Sequence, residues 1–205
     1  MEPRRSFRVL VFSSSRGLEL LEAEAGAVAQ LFGNDKAAFQ PTEASFESYE
    51  NLVPGARQLL ISTTGTWVPG DQRKTYLEIL PTRDVHDSRL SVAEIAAIPL
   101  TAELVALEAC DTARGETRSN DERIDLTRAF LTAGAASVLS TRWKVPEDRA
   151  TSRFLLDFYR AYRQGGPGGT GLRKDQALTE ARRRSRERGD PAQVWAAWVL
   201  VGDAR

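Results

Sequence analysis

Apolar and polar positions alternate along this chain in two rhythms. Continuous apolar runs recur at FRVLVFSS (7–14), AAFQP (37–41), RQLLISTTG (57–65), ELVALEAC (103–110), ASVLSTRW (136–143) and VWAAWVLVGD (194–203). Runs of this length, bounded by polar residues, read as strands buried on both faces. Between them the apolar residues fall at helical spacing over 17–33, 42–53, 90–98, 121–135, 146–166 and 172–190. In the first of these, Leu18, Leu21, Ala25, Val28 and Leu31 form one stripe, and Gly33 supplies the stop. Thr42 and Ser91 stand at cap positions, Gly134 closes the fourth helix, and Pro146 sits in the first turn of the fifth. Residues 66–90 read as an irregular insertion, with Pro69, Gly70, Pro81 and a short edge strand at YLEIL (76–80).

Strands alternating with helices predict an α/β fold, a mostly parallel six-stranded sheet with helices on both faces. Residues 1–205 read as one domain with its core over about 7–203 and no internal repeat. In such sheets function collects beyond the carboxyl ends of the central strands. Two such ends are STTG, from residue 62, and ACDTARG, from residue 109.

Composition narrows the classes. The chain has 28 basic and 28 acidic residues, so no global field draws it to nucleic acid or anionic lipid. One cysteine excludes an intramolecular disulfide and a cysteine-built zinc site. The apolar stretch in MEPRRSFRVLVFSSS is too short for a signal peptide or a bilayer span. These features predict a cytoplasmic protein with no metal and no cofactor. The basic run ARRRSRER (181–188) is flanked by acids and lacks interleaved aromatics, so it reads as a solvated helix face. GPGGTG (166–171) follows a helix and lacks the Gly-Lys-Ser/Thr ending, so it is not a phosphate loop.

The chemistry-bearing candidate is Cys110, at the end of a buried run and before a polar loop. LSVAEIAAIPLTAELVALEACDTARG, LTRAFLTAGAASVLSTRWKV and WAAWVLVGD, in that order, resemble the CHAT family of caspase-like domains. EAEAGAVAQLFG and PGARQLLISTTG fall where that family has its first helix and third strand, and the resemblance covers roughly 17–203. It implies a three-layer caspase-like fold and a His–Cys pair that cleaves peptide bonds, in a context of bacterial signalling and defence. The family's cysteine motif maps onto Glu108, Ala109, Cys110, Asp111 and Thr112, and its His-Gly step maps onto Thr64-Gly65. Threonine thus stands at the position of the base.

A cysteine attacks as its thiolate, and a free thiol with a pKa of about 8.5 is mostly protonated at neutral pH. A positioned acid/base contributes about 10²–10⁴ in rate, and a threonine hydroxyl supplies neither a base nor a positive charge. Glu108 replaces the family's serine. Residues two apart in a strand share a face, so its carboxylate would oppose the thiolate unless an arginine pairs with it. His86, in PTRDVHDSRL, is the only internal candidate for a substitute base, with an exposed loop histidine as the other reading. The resemblance also implies an oxyanion hole from the backbone beside Gly65 and Cys110, while a glycine after a strand is equally a turn residue. Asp111 reads either as a partner for a basic substrate side chain or as a capping aspartate. Trp143 reads first as core packing and second as a wall of a peptide groove.

Two functions follow. One is a pseudoprotease that keeps the fold and the cysteine and binds a protein or peptide partner, with neither nucleic acid nor membrane expected. The alternative is an active cysteine endopeptidase using Cys110 with His86 or another base. A third reading is a regulatory or scaffolding domain taken from a longer protein, since family members often carry helical repeats before this domain.

Overall fold

The computed structural model describes residues 7–14, 19–33, 36–39, 46–66, 75–79, 89–111, 121–146, 148–166 and 170–205. His86, the Thr42 cap, most of the insertion and Thr112 with its loop lie outside the described residues, as do 167–169.

The strands are β1 (Phe7–Ser14), β2 (Lys36–Phe39), β3 (Ala56–Thr66), β4 (Tyr76–Glu78), β5 (Arg89–Ser91), β6 (Leu104–Asp111), β7 (Ser137–Thr141) and β8 (Trp198–Gly202). The helices are α1 (Glu19–Gln30), α2 (Phe46–Leu52), α3 (Val92–Ala97), α4 (Asp121–Ala133), α5 (Arg149–Gln164), α6 (Lys174–Glu187) and the short α7 (Ala192–Trp195). The main path of the sheet runs β2-β1-β3-β6-β7-β8, with β4 added to β3 and β5 to β4.

Six strands on the main path agree with the hydrophobic pattern, but the sheet is mixed rather than mostly parallel. The β1–β2, β1–β3, β3–β6 and β6–β7 ladders are parallel, whereas β3–β4, β4–β5 and β7–β8 are antiparallel. The reversal at β8 has a simple origin. One helix between strands returns the chain to the starting end and gives a parallel neighbour. Here two long helices, α5 and α6, intervene on the same side of the sheet, and the next strand enters from the opposite end.

Alternate residues of the central strands feed two cores. Leu59, Ile61, Val105, Leu107 and Val138 pack with α2, α3 and α4. Leu60, Leu104, Ala106 and Leu139 pack with α1, α5 and α6. The result is three layers, helices–sheet–helices. Trp198 is fully buried and stacks on Phe154, ring centroids 5.5 Å apart.

Local signals explain most boundaries. Ser91 and Glu94 form a reciprocal capping box at the start of α3. Gly134 follows α4 at φ +115°, and a Cβ there would collide with the Leu100 carbonyl. Two readings are corrected. Asp148, not Pro146, begins α5: its carboxylate accepts from the Ala150 and Thr151 N–H groups at 2.9 and 3.0 Å. The apolar run 194–203 is split between the end of α7 and β8.

Candidate functional site

The parallel β3–β6 ladder sets Thr63 opposite Ala109, Thr64 opposite Cys110 and Gly65 opposite Asp111. Adjacent strands lie about 4.8 Å apart, so Thr64 is the cross-strand neighbour of the cysteine. Two positions far apart in sequence are thereby set side by side in the sheet.

Thr64 is buried, and its Oγ1 donates to Glu78 Oε2 at 2.9 Å. The adjacent Thr63 hydroxyl donates to the Glu78 main-chain oxygen. A threonine hydroxyl has one proton to give, and that of Thr64 goes to a carboxylate. Its remaining lone pairs accept hydrogen bonds but are far too weakly basic to hold a proton at neutral pH. Glu78 thus stands beside position 64, although nothing in the sequence pattern singles it out. The signal is the β3–β4 pairing itself, Gly65 opposite Leu77.

Gly65 lies inside β3 rather than in a turn after it, because the strand continues to Thr66. It is flanked by Leu77 on one side and Asp111 on the other. A Cβ at this position would sit 3.3 Å from the Tyr76 main-chain oxygen, tighter than ordinary contact, because β4 approaches closely here.

Glu108 is 2% exposed and accepts a hydrogen bond from Ser62 Oγ at 3.0 Å. These two are register partners on the face that packs against α1 and α5. A second buried carboxyl approaches from α1. Burial pushes Glu24 well above the ordinary glutamate range, the Glu108 carboxylate pushes it further, and the Ser152 hydroxyl opposes part of the rise. Neither Glu24 oxygen has a hydrogen bond of good geometry among the described residues. Two carboxyls in one dry site disfavour a double negative charge, and it is the charged form of Glu24 that burial and Glu108 disfavour. The sequence reading missed Glu24. Its signal was position: it falls three residues after Leu21 and four before Val28, on the apolar stripe of α1.

The other expected site residues scatter. Asp111 is the last residue of β6, opposite Gly65. Trp143 is not core packed as first read: it lies beyond the end of β7, is 40% exposed, and its Nε1 donates to the Gln193 carbonyl at 2.9 Å. Among the described residues no three His, Cys, Asp or Glu side chains converge in a metal-binding group. No described helix is long and apolar enough to cross a membrane.

The family model for the CHAT domain matches residues 3–203. Tetratricopeptide repeat protein 28 of Mus musculus is 32% identical over 115 residues, 55% of this chain and 4% of that protein. Its Homo sapiens counterpart is 33% identical over the same span and share. The chain thus spans only about 4% of the length of these relatives. Among solved structures, the Saccharomyces cerevisiae separase–securin complex superposes with a TM-score of 0.60 at 14% identity, covering 98% of this chain and 12% of that one. The Arg-specific cysteine proteinase gingipain R superposes at 0.59 and 8% identity, covering 96% of this chain and 46% of that one. The fold is that of the caspase-like cysteine peptidases.

Proposed function

Since the chain belongs to the CHAT domain family, we propose that it is a pseudoprotease, a caspase-like domain that acts by holding a protein or peptide partner and not by cleaving peptide bonds. One observation carries this reading: the residue paired with Cys110 across the β3–β6 ladder is Thr64, whose proton is donated to Glu78. Peptide cleavage by a cysteine needs a group that takes the thiol proton and returns one to the leaving amine. A hydroxyl that serves as a donor to a carboxylate does neither at neutral pH. Partner binding fits the names of the curated relatives, since repeat proteins of that kind present extended binding surfaces. The family's context implies bacterial signalling or defence, in the cytoplasm.

The test is a peptide-library cleavage assay on the full chain and on Cys110→Ala. Equal, background-level signal from both is the expected result. Cleavage that disappears in Cys110→Ala overturns the reading, and a parallel loss in His86→Ala would then name the base.

A further inference from the structure

A groove of about 950 Å³ opens at the end of the sheet, between α4 and α6. Its floor is β8, through Val199, Leu200 and Val201, and its walls carry Arg128, Arg142 and Arg182.

The floor is a strand edge: among the described residues β8 is the last strand of the main path and pairs with β7 alone. The register sets Leu200 opposite Leu139, and the flanking bonds Arg142 N–H to Ala197 O and Asp203 N–H to Ala136 O fix the alternation of the ladder. Antiparallel pairs alternate between hydrogen-bonded and non-bonded. Val199 and Val201 therefore turn their N–H and C=O groups toward β7, whereas Trp198, Leu200 and Gly202 turn theirs away. The Trp198 carbonyl confirms the direction, since it accepts from Arg182 Nη2 at 2.5 Å on that outer side. Val201 is 40% exposed. An open apolar edge of this kind is a template for another strand.

The walls state the charge of that strand. Arg182 belongs to the basic run 181–188, yet it differs from its neighbours. Arg183 and Arg184 pair with Glu180, and Arg188 pairs with Asp157 and Asp190. Arg182 has a buried Nε without a hydrogen-bond partner. Burial, with Arg142 and then Arg186 nearby, pushes its guanidinium down from the ordinary value. No carboxylate pairs with Arg128, Arg142 or Arg182 among the described residues. The one acid in the groove wall, Asp175, is already bound to Arg173 at 3.0 Å.

We infer that an extended acidic segment of a partner protein adds to the free edge of β8, pairing its main chain with Leu200 and setting carboxylates against Arg128, Arg142 and Arg182. Main-chain pairing supplies affinity and side-chain pockets supply specificity in such strand addition. A second copy of this chain fits less well, because edge-to-edge pairing would bring two sets of unpaired arginines to one interface. Cys110 is not among the residues that line this groove, so the inference holds whether or not the chain cleaves peptides.

The test uses the full chain carrying Cys110→Ala, so that its result is independent of any cleavage. A displayed library of short random peptides is panned against it and against Arg142→Glu and Arg128→Glu, both at exposed positions. The expected peptides carry Asp or Glu at alternate positions and bind each variant about tenfold more weakly. The best peptide is then made with N-methyl groups at alternate residues, in the two possible frames. An added strand loses binding in one frame and tolerates the other. The inference is overturned by peptides without acidic bias, by binding that ignores both variants, by indifference to both N-methyl frames, or by a sedimenting dimer that excludes the peptides.

Discussion

Thr64 and Cys110 are cross-strand partners in the parallel β3–β6 ladder. In a cysteine peptidase the partner of the thiol must change protonation state near neutral pH. Threonine does not, and its hydroxyl is fixed as a donor to Glu78.

The first expectation concerns the thiol itself. Cys110 is the only cysteine, so iodoacetamide reports on one site. Its alkylation rate should show a midpoint at or above about 8.5, the value of an unassisted thiol. A midpoint clearly below that value would reveal a group that stabilises the thiolate.

Restoring a base should move that midpoint. Thr64→His is expected to lower it by about one unit, through an imidazolium beside the thiolate. Glu78, which now accepts from Thr64, would then stabilise the imidazolium, so Thr64→His/Glu78→Gln should shift the midpoint less. The same alkylation profile on the two variants checks both statements.

Glu24 makes stability depend on pH with a definite sign. Its pKa in the fold lies above the ordinary glutamate range, so the native state holds a proton that the unfolded chain has already lost. Stability therefore falls as pH rises from the ordinary glutamate range through the raised native value. Glu24→Gln removes the titration and keeps the shape. Urea unfolding should find the variant more stable than the parent at pH 8, by on the order of 1–3 kcal/mol, with the two converging in acid.

Gly134→Ala tests the turn between α4 and β7. The backbone there is at φ +115°, and the new methyl would meet the Leu100 carbonyl. A loss of about 2–4 kcal/mol in urea unfolding is expected. Gly33→Ala, also at positive φ but with open space around it, should cost less.

The strands were legible because a strand covered on both faces must be apolar along its whole length. Ser91 and Gly134 were legible because their roles are local. What escaped was long-range or ambiguous. An apolar run does not distinguish a strand from a buried helical turn, so Val194 and Trp195 read as strand by pattern but lie in α7. Trp143 looked like core because size and hydrophobicity say nothing of where a strand stops. The neighbours Ser62–Glu108 and Thr64–Glu78 depend on register, which no local pattern encodes. Arg182 was hidden within a basic run whose other members are mostly ion-paired, and only its neighbours in space set it apart.

The two central strands change character along their length. Leu59, Leu60 and Ile61 on β3, with Val105, Ala106 and Leu107 on β6, are wholly apolar, but beyond them come Ser62, Thr63 and Thr64 beside Glu108. Separating the strands at the far end exposes hydroxyls and carboxyls, which water solvates readily, whereas separating them at the near end exposes the core. Backbone amides should therefore exchange with solvent along a gradient, those of Ser62–Gly65 well before those of Leu59–Ile61. Cys110 pairs with Thr64 in this ladder, so its amide is expected at the fast end of the same gradient, while the apolar near end holds the sheet together.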